Sequence, residues 1–329
     1  MKKINNILIG ILLLLVTITV FFGIAESLSR LIYGHNLVYS YGGPTLWSLQ
    51  PNQEAFTIPN HKFAHINSNG LRGKNFSIEK EDGTFRILML GDSYMFGYGL
   101  SDNETLPFQL QELLNTQEKK FEVINTGIPG YGIFQMVNFY KEEGFSYNFD
   151  LVILMAIEED LLRQPLEEGK WNLRYYLKNM VRVCLRKSTF IAIMKPRFER
   201  MRWIMFGDLE EMKERYEELW GKDKKRLEEL AVMLLNQNKS LVLVPYIEHE
   251  SELGFRDKMK DFSAEHRHVF VVDNVYEKME EFGRLGGKEL LMIEGDGHPT
   301  AIANQITAQL IYEKLIKNNL ITIEKDGQK

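Results

Sequence analysis

A serine follows a short apolar run in this sequence, at a position where its side chain could act as a nucleophile. The run from Phe85 to Leu90 ends at Gly91, and the polar pair Asp92-Ser93 comes next. An apolar run of this length that stops at a glycine is typical of a buried strand in a parallel sheet. Because open α/β sheets bind ligands at the carboxyl ends of their strands, Ser93 is a candidate nucleophile. The alternative is that Asp92 and Ser93 only cap the helix that follows.

A serine nucleophile needs an imidazole to accept its proton, a carboxylate to orient that imidazole, and donors for the developing oxyanion. The segment Asp296-Gly297-His298-Pro299, just before the last predicted helix, supplies two of these parts. His298 is the candidate base, and Asp296 can orient its ring across a tight glycine turn. An ordinary turn and helix start would have the same sequence. The other six histidines lack such a setting; they occupy positions 35, 61, 65, 249, 266 and 268.

The elements that must position these residues alternate between strand and helix. Apolar runs predict strands at 85–90, 121–124, 151–157, 241–247 and 269–273. Helical spacing predicts helices at 106–117, 133–143, 210–236 and 301–316. This alternation implies right-handed crossovers and a three-layer α/β/α sandwich with a five-stranded parallel sheet. The predicted domain covers residues 85–320, and 321–329 form a polar tail.

The amino terminus predicts a membrane anchor. Lys2 and Lys3 precede an uncharged run from Ile7 to Ala25, which as a helix would be roughly 28 Å long and would span a bilayer. The lysines favour a cytoplasmic tip at 1–6 and an extracytoplasmic body on a single-pass transmembrane helix at 7–25. The competing interpretation is a cleaved signal peptide, because small residues occur at Gly23 and Ala25.

Two further segments flank or interrupt the predicted domain. Turn formers and aromatic residues in 26–84 predict an irregular collar between membrane and domain, with a short hairpin. The insertion 161–206 carries eleven Lys or Arg and three Glu, although the formal net charge of the whole chain is −5. That net charge argues against a nucleic-acid partner. Within the insertion, a basic amphipathic helix is predicted from residues at four-residue spacing: Arg174, Lys178, Arg182 and Arg186.

Two interpretations of this basic helix remain open. It could be the solvated face of a helix that packs on the domain. It could also be a lid that rests on anionic lipid headgroups or binds an acidic polymer, since the anchor would hold the domain at a membrane.

Three blocks of the sequence together resemble the SGNH (GDSL) hydrolase superfamily. In chain order they are Gly91-Asp92-Ser93, Asn125-Thr126-Gly127-Ile128-Pro129-Gly130 and Asp296-Gly297-His298-Pro299. The resemblance extends from about residue 66 to 317, and the segments 66–72 and 91–100 are similar to a membrane-anchored bacterial branch. It implies a flavodoxin-like sheet and a serine ester hydrolase. It also implies that the N–H groups of Ser93 and Gly130 form an oxyanion hole, with His298 and Asp296 as base and orienting residue.

The sequence departs from the family pattern at two places. The family has an asparagine after the third strand whose side chain is another oxyanion donor, and here Glu159 occupies that position, with Glu158 in place of the preceding glycine. A carboxylate accepts hydrogen bonds and does not donate them, and losing one such donor typically costs about 10² to 10³ in turnover. The second departure is smaller: one residue separates Asp296 and His298, where many members have two.

Three functions are compatible with these features. The first is an exported serine esterase that removes acyl groups, acetyl above all, from a glycan or lipid of the cell envelope. The second is an O-acyltransferase that passes the acyl group to an extracellular polysaccharide. The third is a degenerate binding protein, because of Glu159. No cofactor or metal is expected, since Glu158, Glu159, Asp160 and the histidines lack ligand spacing and Cys184 is the single cysteine. An acidic cluster of this kind also suits a helix amino terminus.

Overall fold

The computed structural model describes residues 2–57, 60, 62–115, 120–163, 188–191, 209–246, 254–294 and 296–321. Its first element is a long helix, α1 (Lys2–Tyr33). The part from Ile7 to Tyr33 is long and apolar enough to cross a membrane. An 18-residue window within it has a mean hydropathy of 3.0 and is not buried inside the protein. A signal sequence would meet the same criteria. The helix continues eight residues beyond Ala25, where the predicted apolar span ends.

The segment after α1, predicted to be an irregular collar with one short hairpin, forms two antiparallel hairpins and is more regular than expected. Strand β1 (Tyr39–Tyr41) pairs with β2 (Trp47–Leu49), and β3 (Gln53–Thr57) pairs with β4 (Lys62–Ile66). Their inward side chains join the main hydrophobic core. A second hairpin was not predicted, because these strands have only three to five residues, too few for a clear alternation.

A five-stranded parallel sheet forms the centre of the domain. Its strands are β5 (Phe85–Leu90), β6 (Phe121–Asn125), β7 (Leu151–Ala156), β8 (Ser240–Pro245) and β9 (Val269–Val271). Their order across the sheet is β6-β5-β7-β8-β9, with every neighbouring pair parallel. This is the flavodoxin-like order, so the predicted fold class is confirmed. The strand order reverses at β5 and β7, which places the ligand-binding crevice of such a sheet at the carboxyl ends of those two strands.

Helices cover both faces of the sheet. The helices are α2 (Ser93–Phe96), α3 (Leu106–Leu114), α4 (Ile133–Glu142), α5 (Leu209–Asn236), α6 (Phe255–Glu265), α7 (Val275–Phe282) and α8 (Ala301–Lys317). Leu88 and Leu90 of β5 pack in one core cluster with α4, α5 and α6, whereas Ile87 and Met89 pack in the other with α3, α7 and α8. Alternate residues of one strand therefore serve two cores, as expected of a strand buried on both sides.

The sequence did not predict α6 and α7. Only Phe255, Met259 and Phe262 of α6 are buried, so its apolar stripe is narrow among charged residues. The basic helix predicted around Arg174 to Arg186 lies outside the described residues.

Candidate active site

Ser93 lies at the first residue of α2, directly after the turn that ends β5. The turn requires a glycine at position 91, because a Cβ there would approach the Cβ of Met95 to 2.3 Å. Asp92 caps α2: its Oδ1 accepts a hydrogen bond from the Tyr94 N–H at 2.9 Å. Capping and a chemical role for Ser93 are therefore compatible, because the cap uses the Asp92 side chain and leaves the Ser93 hydroxyl at the edge of the crevice.

The structure brings Ser93, His298 and Asp296 together. His298 Nε2 lies 2.9 Å from Ser93 Oγ, although the two residues are 205 positions apart in the chain. The other ring nitrogen, Nδ1, is hydrogen-bonded to Asp296 Oδ2. A carboxylate can only accept at Nδ1, so Nε2 is the nitrogen left to accept the serine proton. The three side chains thus have the connectivity of a Ser-His-Asp triad.

The His298 loop is fixed by its own backbone. Gly297 adopts a left-handed φ of 85°, which allows the chain to turn between Asp296 and His298 with a single residue. The Ile293 N–H donates to the His298 carbonyl oxygen at 2.8 Å. Thr300 then caps α8, because its side chain accepts from a backbone N–H in the first turn. The short Asp-Gly-His spacing therefore suffices to present both side chains to Ser93.

Two tyrosines that the sequence analysis did not single out support the imidazole. The Tyr94 hydroxyl donates to the Gly297 carbonyl oxygen at 2.8 Å. The rings of Tyr94 and Tyr98 each lie 5.2 Å from the His298 ring, measured between centroids. Both tyrosines lie in the segment 91–100, which resembles the membrane-anchored branch of the family. Their position in that segment could have indicated a role beside the nucleophile.

The collar also reaches the site, through Arg72. This arginine is 3% exposed. Its guanidinium donates to the carbonyl oxygens of Gly97 and Leu100, both at 2.6 Å, and to Asp102 Oδ1 at 2.8 Å. These contacts fix the loop that carries Tyr98. The predicted collar thus positions a residue beside the imidazole.

The predicted oxyanion donors lie on neighbouring turns. The loop after β6 follows the end of β5, where the Ile128 N–H donates to the Gly91 carbonyl oxygen at 3.2 Å. Gly130 follows two residues later. Among the described residues, neither the Ser93 N–H nor the Gly130 N–H donates a hydrogen bond to a protein acceptor. Both groups are therefore available to a ligand oxygen, and their joint role as an oxyanion hole remains a prediction.

The turn after β7 carries the departure from the family pattern. It is a 3₁₀ helix, Glu158–Leu162, in which Glu159 is exposed. Asp160 beside it is fully buried, and its Oδ2 accepts from the Ile157 N–H at 2.9 Å. The placement of Glu159 at the third donor position remains a prediction. Among the three acidic residues of this turn, Asp160 is the one that is fully buried.

Arg163 connects that turn to the nucleophile, and no sequence motif indicated it. Its Nη1 lies 2.7 Å from Asp92 Oδ2, 2.5 Å from Asp160 Oδ1 and 2.9 Å from the Tyr131 carbonyl oxygen. Burial, and next the charge of Asp92, raise the pKa of Asp160 well above its ordinary value. Burial lowers the pKa of Arg163, but the two carboxylates outweigh it and the net change is upward. Arg163 is therefore a fixed cation behind Ser93.

Comparisons with known proteins find structural likeness only. No family model and no curated protein matches the sequence. Among solved structures, the chain is similar to the psychrotrophic esterase EstA from Pseudoalteromonas sp., inhibited by monoethylphosphonate (16% identity, TM-score 0.45, 73% of this chain and 100% of that one). It is also similar to the lipase/acylhydrolase from Enterococcus faecalis, with 13% identity and a TM-score of 0.42 over 73% of this chain and 99% of that one. A third similar structure is Axe2, an acetylxylan esterase from Geobacillus stearothermophilus, with 15% identity and a TM-score of 0.44 over 70% of this chain and 94% of that one.

Proposed function

We propose that this chain is a serine ester hydrolase of the SGNH type, with Ser93 as nucleophile, His298 as general base and Asp296 as the residue that orients the imidazole. The observation that carries the proposal is the contact of His298 Nε2 with Ser93 Oγ at 2.9 Å, while Nδ1 is bonded to Asp296. This distance lies within the hydrogen-bond reach that a general base requires.

In the proposed reaction, His298 Nε2 takes the hydroxyl proton as Ser93 Oγ attacks the ester carbonyl carbon. The N–H groups of Ser93 and Gly130 stabilise the oxyanion that forms. His298 then gives the proton to the departing alkoxide, which leaves an acyl-serine and an alcohol. A water molecule, deprotonated by His298, attacks the acyl-serine and releases the carboxylic acid and free Ser93.

We further propose that the enzyme is anchored in the cytoplasmic membrane by α1, with the amino terminus inside, and acts on acylated glycan or lipid of the cell envelope. The apolar length of α1 and the two lysines before it support this topology. The test is a carbonate wash combined with protease protection of spheroplasts, in which a periplasmic or a cell-surface domain is accessible to the protease. Release of the chain into the wash, or a protected carboxyl-terminal domain, would contradict it.

The basic insertion is proposed to lie at the membrane surface. Its described segment contacts α1 just past the apolar run: Glu26 accepts from Ser188 Oγ at 2.6 Å and from the N–H groups of Thr189 and Phe190, both at 3.1 Å. The Phe190 ring also packs edge-on against Phe22 at 5.9 Å. These contacts support an insertion held close to the headgroups, where its cations would meet anionic lipid or an acidic polymer.

Reconstitution tests the lipid contact. The full chain is placed in vesicles with and without anionic lipid, and ester hydrolysis is compared with that of a variant in which Arg174, Lys178, Arg182 and Arg186 are all replaced by Gln. Activity of the wild type should depend on anionic lipid, and the variant should lose this dependence. Equal dependence in both proteins would contradict the lipid contact.

Hydrolysis of p-nitrophenyl acetate tests the chemistry directly. Ser93→Ala and His298→Ala should each lower kcat by about 10³-fold or more, because either change removes the proton-transfer pair. The matched control is His266→Ala. His266 follows α6 and precedes β9, at the opposite edge of the sheet, and its Nδ1 lies 2.9 Å from a backbone carbonyl oxygen. A folded wild type without activity would favour the binding protein, in which Glu159 has abolished turnover.

A further inference from the structure

The Ser93 hydroxyl has two neighbouring acceptors and only one proton. His298 Nε2 lies 2.9 Å from Oγ, and Asp92 Oδ2 lies 3.2 Å from it. A hydroxyl proton can be donated to one acceptor at a time. Donation to His298 prepares Ser93 for attack, whereas donation to Asp92 holds it in an unproductive orientation. The balance between these acceptors therefore affects the reactivity of the serine.

The competing oxygen is the one that Arg163 contacts. Asp92 Oδ2 accepts from Arg163 Nη1 at 2.7 Å, a charge-assisted hydrogen bond that lowers the capacity of this oxygen to attract the serine proton. Asp92 is 1% exposed, so little solvent screens its charge. Without Arg163, this carboxylate would both compete for the proton and oppose an oxyanion forming near Ser93.

Asp160 is the third ionisable group in the cluster that Arg163 forms with Asp92. It is fully buried and lies on the other side of the same guanidinium nitrogen, 2.5 Å from Nη1. Two ionised carboxylates and one guanidinium would leave a net negative charge beside the reaction centre. Burial and the charge of Asp92 raise the pKa of Asp160, whereas the charge of Arg163 opposes this change, so the guanidinium is needed to balance both carboxyl groups.

We propose that Arg163 is a positioning residue for Ser93: acting through Asp92, it directs the serine proton to His298 and shields the oxyanion from an uncompensated carboxylate. This inference rests on the proposed function and extends it to a residue outside the triad.

The test compares kcat and KM for p-nitrophenyl acetate in the full-length detergent-solubilised protein. Arg163→Gln should lower kcat by about 10- to 100-fold and leave KM within about twofold, because the change affects proton transfer and oxyanion stability more than ester binding. Arg163→Lys keeps the cation and should retain kcat within about threefold. The double variant Asp92→Asn/Arg163→Gln should recover about tenfold over Arg163→Gln, because the competing charge is gone.

The matched control is Arg226→Gln in α5. Arg226 Nη1 lies 2.5 Å from Oδ1 of Asp223, which is fully buried and three residues earlier in the chain. Arg163 and Asp160 form an ion pair with the same spacing, the same distance and a fully buried carboxyl. This change should leave kcat unchanged. A kcat for Arg163→Gln equal to that of Arg226→Gln, or a double variant no faster than Arg163→Gln, would overturn the proposal.

Failure of the inference and failure of the proposed function give different results. If the folded wild type does not hydrolyse the ester and its Ser93 does not react with a fluorophosphonate, the proposed function fails and the inference with it. If the wild type and Arg163→Gln react at the same rate, only the inference fails. A melting curve of each variant establishes that the compared proteins are folded. Should Arg163→Gln not fold, Arg163→Lys and the double variant carry the comparison, and a kcat below one tenth of wild type in both would overturn the inference.

Discussion

Arg72 and Arg86 are two buried arginines whose replacement should have similar effects on stability and different effects on the active site. Arg72 contacts Asp102 and the carbonyl oxygens of Gly97 and Leu100, at the carboxyl end of the sheet. Arg86 lies in β5 and is 1% exposed. It contacts Glu122 Oε2 at 2.6 Å and three carbonyl oxygens, at the opposite end of the strand from Ser93.

Replacement of either residue by methionine should lower the free energy of unfolding by about 3–5 kcal/mol. The change removes a buried cation from a partly exposed carboxylate and leaves several carbonyl oxygens without the guanidinium that donates to them. Urea unfolding of the detergent-solubilised chain, followed by tryptophan fluorescence, measures this loss. Because both arginines make one ion pair and at least three hydrogen bonds to carbonyl oxygens, the two losses should agree within about 2 kcal/mol.

The reactivity of Ser93 should separate the two variants. Arg72→Met releases the loop that carries Tyr98, whose ring packs against His298, so the rate of fluorophosphonate labelling should fall by about 10- to 100-fold. Arg86→Met should label within about twofold of the wild type. Rates are compared at a temperature where both variants remain folded. Equal labelling of the two variants would refute the idea that the collar positions the imidazole.

Three further changes test single contacts of the site. Tyr94→Phe removes the hydrogen bond to the Gly297 carbonyl oxygen. It should lower the free energy of unfolding by about 1 kcal/mol and lower kcat roughly fivefold. A kcat equal to that of the wild type would contradict a supporting role for this hydroxyl. Glu159→Asn should raise the rate on a small acetyl ester, and an unchanged or lower rate would count against its placement at the donor position. Asp160 has a pKa raised above its ordinary value of 3.8, so the folded protein holds a proton that the unfolded chain releases. Stability should therefore fall as pH rises above the ordinary pKa of an aspartate, and Asp160→Asn should flatten this slope in urea midpoints. An unchanged slope would contradict a raised pKa for this carboxyl.

The sequence was sufficient to predict the sheet and to select three residues that the structure brings into contact, Ser93, His298 and Asp296. The five strands are short apolar runs, and a fully buried parallel strand differs clearly from its surroundings. Ser93 and His298 lie directly after or before regular elements, so their positions at the edge of the sheet follow from the alternation of strands and helices.

The supporting contacts could not be predicted, because they join residues that are distant in the chain or use backbone atoms. Arg163 and Asp92 are 71 residues apart, and Tyr94 and Gly297 are 203 apart. The partners of Arg72 at Gly97 and Leu100 are carbonyl oxygens, which every residue has. No residue type marks such an acceptor in advance, so only the folded chain identifies the donor that reaches it.

Activation of Ser93 by His298 is tested most directly by treating the full-length protein with a fluorophosphonate and locating the adduct by mass spectrometry of its peptides. We predict one adduct, on Ser93, which disappears in Ser93→Ala, is lost or strongly slowed in His298→Ala, and persists in His266→Ala. An adduct on another residue, or no adduct on folded wild-type protein, would contradict the claim.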